Sequence, residues 1–259
     1  MKAVIIFISL FYIGLWANCS LGQTIAPDGI RLARITFLTR NFDSLTRSFF
    51  KRGFQIKPGL REPGGIFNNS VIFPNGCEII IETTTSADSN GWRQQALKKY
   101  GNHITGIAFE VAQIDSLYRS LQFRNIPLSS RNTIMKEKPD GSEYAARVFA
   151  LDSCLPLDVV FFSKDTSVVS HRMDSLAIHP NHVFRFDWVI LSAAGVIEKS
   201  LRTLFEICNA LKLHEGCCDF WRLGPSNDFC FFRFDPPPPK AKGKPDWLSI
   251  EPDLIYFAY

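Results

Sequence analysis

The chain has 259 residues, 46% of them hydrophobic, with a formal net charge of +4. That balance excludes a disordered chain, which would be poor in apolar residues, and it is too mild for a nucleic-acid-binding or membrane-surface protein. The length is enough to bury one sizeable core or two small ones.

The first segment, residues 1–22, carries Lys2, an apolar run from Ala3 to Ala17, and the small residues of Ser20-Leu21-Gly22. This is the pattern of a secretory signal peptide cleaved before Gln23. The run is shorter than the roughly 20 residues a spanning helix needs, so no membrane span is expected. Lipidation at Cys19 is a second possibility, although Trp16-Ala17-Asn18 is a poor lead-in to it. The expectation is export to the periplasm or the extracellular space, with residues 23–30 as a short leader. Export permits disulfides. Cys77, Cys154, Cys208, Cys217, Cys218 and Cys230 remain after cleavage, and the sequence leaves open whether they pair or stay as buried thiols.

Residues 34–45, RITFLTRNFDSL, return as residues 106–117, GIAFEVAQIDSL, with Ile, Phe, Asp, Ser and Leu at matching places. A weaker echo, WVILSAAGVIEKSL, starts at Trp188. Each copy reads as a strand turning into a helix, and the repetition predicts one unit used several times. Alternation assigns the faces. Ile35 and Phe37, then Ile107, Phe109 and Val111, then Val189 and Leu191 form an apolar side that packs on the following helix. Arg34, Thr36 and Leu38, then Gly106, Ala108 and Glu110, then Trp188, Ile190 and Ser192 lie opposite, as the wall of a groove or as a solvated face.

In the first unit, Asp43 sits in the first helical turn, where a negative charge is favourable, and Leu45 and Phe49 face the sheet. Gly53 ends the helix. Strands are predicted at residues 54–57, 66–73 and 77–82, with a hairpin at Pro74-Asn75-Gly76. A polar connector follows and ends in a short helical pattern at residues 92–100, placed to overhang a groove. The second unit has Ile114, Leu117 and Leu121 on one helix face, a short strand at residues 125–129, a polar excursion at 131–142, and strands at 144–151 and 157–162. In the third unit a helix is predicted over residues 196–211 and strands at 229–234, 247–250 and 254–258. The stretch DPPPPKAKGKP, residues 235–245, cannot join a sheet interior.

Strand, helix and three strands in tandem resemble the vicinal oxygen chelate superfamily, the glyoxalase, bleomycin-resistance and dioxygenase proteins. Residues 37–45 leading into Gly53-Phe54, residues 69–73 before the hairpin and Ile79-Ile80-Ile81-Glu82, and His179-Pro180-Asn181 are similar to its glyoxalase-like domain branch. The resemblance covers residues 31–211. It implies an α+β fold in which tandem βαβββ modules form a cup-shaped mixed sheet with helices on the outer face. Residues 31–182 would be a glyoxalase-like domain of two modules, and residues 183–259 a third, incomplete one. It also implies a divalent metal in the cup, acting as a Lewis acid on substrate oxygens, held by a His on the first strand of each module and a carboxylate on the last.

Carried over by position, the first-strand slots hold Arg34, Gly106 and Trp188, none of which ligates a metal through its side chain. Glu82 matches the carboxylate slot, and Asp158 is the nearest carboxylate in the second module. Two acids would hold at most a hard cation, weakly, so no cofactor and no metal ligand set is expected. His103 falls three residues before its slot and on the wrong face. His179 and His182 are interrupted by Pro180 as a helical pair.

Arg34 places a planar guanidinium where a ligand would be. Either it clamps an anion, with Asn69, Glu82, Arg147 and Trp188 as neighbours, or it forms an internal ion pair with Glu82. Two function classes stay open. One is a lyase or isomerase of glyoxalase type acting on a small, oxygenated, anionic metabolite. The other is a metal-independent protein that sequesters a small molecule, as bleomycin-resistance proteins do. A homodimer through the third module is a further expectation.

Overall fold

The computed structural model describes residues 29–62, 65–85, 91–137, 143–152, 157–163, 175–183, 185–192, 196–215, 218–224, 230–235 and 255–258. The expected signal peptide, residues 236–250 with most of the proline-rich stretch, and Cys154 and Cys217 lie outside them.

The first unit is β1 (Ile30–Leu38), α1 (Phe42–Lys51), β2 (Lys57–Glu62), β3 (Ile66–Ile72) and β4 (Glu78–Thr84). The connector forms α2 (Trp92–Tyr100). The second unit is β5 (His103–Val111), α3 (Ile114–Phe123), β6 (Asn132–Glu137), β7 (Glu143–Ala150) and β8 (Asp158–Ser163). Together they make one eight-stranded sheet in the order β2-β3-β4-β1-β5-β8-β7-β6. The seam is the antiparallel pair β1–β5, flanked by β4 parallel to β1 and β8 parallel to β5. The architecture is α+β, with tandem βαβββ modules as the repeat predicts.

Alternation decides what is buried. Ile35, Phe37, Ile107, Phe109 and Val111 are nearly inaccessible and join one core with Phe49 of α1 and Ile114, Leu117 and Leu121 of α3. Phe109, Phe161 and Phe149 stack across β5, β8 and β7, with ring centroids 5.7 and 4.7 Å apart. Asp43 lies in the first turn of α1. Gly53 takes φ +84°, the left-handed conformation that ends a helix without steric penalty. The hairpin at Pro74-Asn75-Gly76 closes with Phe73 N–H donating to the Cys77 carbonyl at 2.8 Å.

Some element bounds differ from the sequence reading. The second strand is Lys57–Glu62 rather than residues 54–57, because Phe54 is drawn into the core beside Phe49 and Phe73. Residues 125–129 supply only an isolated bridge, Leu128 to Leu151. The strand is instead Asn132–Glu137, in the stretch read as a polar excursion.

The third unit is complete. It runs β9 (Arg185–Ser192), α4 (Val196–Ile207), β10 (Leu211–Glu215), β11 (Cys218–Leu223) and β12 (Cys230–Asp235), followed by β13 (Ile255–Ala258). Its sheet order, β10-β11-β12-β9-β13, repeats β2-β3-β4-β1-β5, with β12 parallel and β13 antiparallel to β9. The expectation of an incomplete module is therefore corrected. Helix α4 stops at Ile207, four residues before the predicted end, and Asn209 at φ 48° turns the chain into β10. Leu201, Leu204, Phe205, Trp221 and Leu223 join the same core as the first two units.

Residues 178–183 fasten the third unit to the first. Asn181 Nδ2 donates to the Arg52 carbonyl at 2.8 Å, and Gln55 Nε2 donates to that of Ile178 at 2.7 Å. His179 is 3% exposed and meets Phe54 and Phe73 edge-on. Its Nδ1 accepts the Gln55 backbone N–H at 3.0 Å, so the proton of the neutral ring sits on Nε2. His179 is a packing and hydrogen-bonding residue, and it does not converge with His182 on a metal.

Candidate functional site

The β1–β5 seam forms the floor of a cavity of about 330 Å³. Arg34 and Thr36 reach it from β1, Thr105, Gly106 and Ala108 from β5, Asn68 from β3, and Ile80 and Glu82 from β4. The opposite wall is Ile134 of β6, Val148 of β7, and Asp158, Val160 and Phe162 of β8. Gly106 sets how closely the floor packs: a Cβ there would meet Thr36 Cβ and Oγ1 at 3.3 Å.

Helix α2 overhangs one end. Leu38, at the end of β1, is buried against Ala96 and Leu97, with Trp92 packed on them. Trp92 and Arg93 then border the cavity, and the Arg93 guanidinium lies 4.8 Å from the Trp92 ring centroid. Arg93 Nε donates to Glu82 Oε2 at 3.0 Å, and Glu82 is 5% exposed.

This replaces the expected Arg34–Glu82 pair. In the parallel β1–β4 register Arg34 lies opposite Glu78, and Glu82 opposite Leu38. The two residues are thus four positions, or ~13 Å, apart along the strands. Arg34 Nε donates to Glu78 instead, at 3.0 Å, with the Arg34 side chain 48% exposed.

The register also separates Glu82 from Asp158, the carboxylate nearest to the equivalent slot in the second module. Gly106 lies opposite Asp158 in β5–β8, as Arg34 lies opposite Glu78 in β1–β4. Asp158 is therefore the counterpart of Glu78, and Phe162 that of Glu82. Solvent reaches Asp158, but the cup walls surround its carboxyl closely enough that desolvation raises its pKa, while the nearby Arg93 charge pulls it back down. The Asp158 carboxylate makes no salt bridge or hydrogen bond among the described residues.

The other expected neighbours lie elsewhere. Asn69 faces α1: its Oδ1 accepts from Gly59 N–H at 3.3 Å and its Nδ2 donates to Thr46 Oγ1 at 3.4 Å. Its neighbour Asn68 takes the cup position. Arg147 pairs with Asp115 of α3 on the outer face, and Val148 lines the cup. Trp188 is on β9, in the second sheet. Each β3 and β7 misassignment is one residue, which in a strand exchanges the faces. Arg93 was missed altogether, although Trp92-Arg93 begins the segment expected to overhang the groove.

The donor set does not suit the metal that the sequence resemblance implies. Transition-metal sites of this kind use imidazole, and no histidine is among the described residues that line the cup. His103 is 1% exposed, with Nδ1 at 2.7 Å from the Gly101 carbonyl, and burial lowers its pKa. Glu82 is engaged by Arg93. No group of three or more His, Cys, Asp or Glu able to hold a metal ion occurs among the described residues.

No protein-family model and no curated protein matches this sequence. Solved structures do match. A hypothetical protein from Staphylococcus aureus aligns over 80% of this chain and 86% of its own, at TM-score 0.53 and 12% identity. Methylmalonyl-CoA epimerase from Mycobacterium tuberculosis aligns over 53% of this chain and 89% of its own, at TM-score 0.39 and 13% identity. A xylose isomerase-like TIM barrel/4-hydroxyphenylpyruvate dioxygenase fusion protein aligns over 83% and 33%, at TM-score 0.48 and 13% identity. The fold, a mixed α+β sheet built from tandem βαβββ modules, is similar to that of the Staphylococcus aureus protein. At such identities the likeness concerns fold alone, and activity has to be argued from the cup.

Proposed function

We propose that the chain binds a small oxygenated metabolite in the cup between its first two modules, without a His-ligated metal. The observation that carries this reading is the way the two arginines are used. Arg34 and Arg93 each engage a carboxylate through Nε. Their terminal nitrogens form no other hydrogen bond among the described residues. That edge of a guanidinium matches a carboxylate fork. Ile134, Val148, Val160 and Phe162 offer an apolar wall for the rest of the ligand. A cavity of 330 Å³ is at the small end of ligand sites, which run to about 1,000 Å³.

Sequestration is favoured over turnover of lyase or isomerase type. Glu82, the carboxylate in the metal-ligand slot, is held by Arg93. A melting-shift screen over small carboxylates and aldehydes tests the reading, with Ala108→Phe and Val148→Phe as cavity-filling controls. Stabilisation of the native chain and of neither filled variant is expected, and equal stabilisation of all three would refute the site.

Two further expectations accompany this proposal. Export is supported by the Ala3 to Ala17 run, and an intact Met1 on protein recovered from the exported fraction would argue against it. Self-association is supported by β13, an edge strand of the second sheet, and sedimentation showing only monomer at high concentration would remove it. No helix of the described residues is long and apolar enough to cross a membrane.

A further inference from the structure

The charged groups that line the cup, Arg34, Arg93, Glu82 and Asp158, are not equally engaged. The Arg34–Glu78 and Arg93–Glu82 pairs are each neutral. Asp158 lines the same cavity with no ion pair or hydrogen bond among the described residues. A ligand that is only an anion would satisfy a guanidinium edge, yet it would bring a further negative charge beside Asp158, which feels the Arg93 charge but has no ion pair of its own among the described residues. Like charges at this range disfavour binding. A ligand that also carries a cationic donor removes the conflict, because one end neutralises Asp158 while the other meets the arginines.

We propose that the cup selects a zwitterion of amino-acid type, its carboxylate on the terminal nitrogens of Arg93 or Arg34, its ammonium on Asp158, and its apolar side chain against Val148 and Phe162. This rests on the reading of the cup as a small-molecule site and specifies the ligand class. Asp158 is then a specificity-determining residue. Desolvation by the cup walls raises the Asp158 pKa, and the Arg93 charge lowers it only in part. Asp158 lies opposite Gly106 in the β5–β8 register, on the same wall of the cup as Val148 and Phe162.

Three matched probes separate the charges: L-phenylalanine, 3-phenylpropanoate, which lacks the amine, and 2-phenylethylamine, which lacks the acid. Isothermal titration at pH 7.5 on the full chain should show phenylalanine binding at least tenfold more tightly than either analogue. In Asp158→Asn the amino acid should fall to within about threefold of phenylpropanoate. Asp158→Ser, read alongside, guards against a defect peculiar to one variant. Phenylpropanoate binding the native chain as well as phenylalanine, or an amino-acid advantage that survives both substitutions, would overturn the proposal while leaving an anion-binding cup intact. Binding by none of the three probes would overturn the amino-acid class, while the cup itself is judged by the wider screen and the filled variants.

Discussion

Arg93 Nε lies 3.0 Å from Glu82 Oε2, and this pair ties the connector helix α2 to the floor of the cup. Glu82 is almost fully buried, while the Arg93 side chain remains 28% exposed. Removing the arginine alone leaves a buried carboxylate without its counter-charge. Arg93→Met is expected to lower stability by about 1–3 kcal/mol. Glu82→Gln combined with Arg93→Met should lose less than the sum of the single changes, with a coupling of about 0.5–3 kcal/mol. Urea unfolding of the four proteins measures it, and strict additivity would mean that the pair is not coupled.

By contrast, the Arg34–Glu78 pair is half in water. Arg34→Met should change stability by no more than about 1 kcal/mol, so any loss of ligand binding in that variant reports recognition rather than folding. Thermal melting of the unliganded variant is the check.

The clasp at residues 178–183 has a pH signature. Burial lowers the His179 pKa, partly opposed by the nearby Ile72 carbonyl, and burial likewise lowers that of His103. A lowered base pKa means that the unfolded chain binds protons more readily. The stabilisation from these rings is thus fully present above the ordinary histidine value of about 6.5 and is lost as pH falls through the lower folded values. Unfolding midpoints at pH 7.5 and pH 5.5 should differ in that direction. His179→Phe should flatten the difference, because it keeps the aromatic packing but removes the titrating group.

Asp158 acts with the opposite sign. Its raised pKa means that the charged form is disfavoured in the fold, so the associated stability is present below the ordinary carboxyl value and lost as pH rises through the folded value. Asp158→Asn is expected to raise the melting temperature at pH 7, as removal of a functional but unfavourable charge often does. A lower melting temperature would indicate a structural partner for Asp158.

Gly53 is a further test of the clasp. It holds φ +84°, and a Cβ there would lie 3.0 Å from Asn181 Cβ. Gly53→Ala should destabilise by more than about 1 kcal/mol, the reverse of the gain the same change gives at permissive sites. Hydrogen exchange at residues 178–183 would locate the damage.

Period-two alternation made the core legible. Ile35, Phe37, Ile107, Phe109 and Val111 lie where it places them, and Arg34, Gly106 and Asp158 reach the cup. It fails where a strand does not alternate. In β3 the run Asn68-Asn69-Ser70 offers no contrast, so alternation does not choose between Asn68 and Asn69 for the cup, and the resemblance points to Asn69. Strands β10 and β11 show in the sequence only as Leu211 and Leu213 alternating ahead of Gly216 and the Phe220-Trp221 run. The partner of Glu82 was not legible at all. Arg93 reaches it because α2 folds across the sheet end, held by Leu38, Ala96 and Leu97, and no local rule encodes that long-range packing.

The central claim is that the cup binds a small molecule without a His-ligated metal. Its most direct test is ligand-induced melting of chelator-treated protein, with a panel of amino acids, small carboxylates and aldehydes, run beside Ala108→Phe. At least one compound is expected to raise the melting temperature of the metal-free native chain and to leave the filled variant unchanged. A shift that appears only after stoichiometric zinc, nickel or iron is restored, and that disappears in Glu82→Ala, would contradict the account.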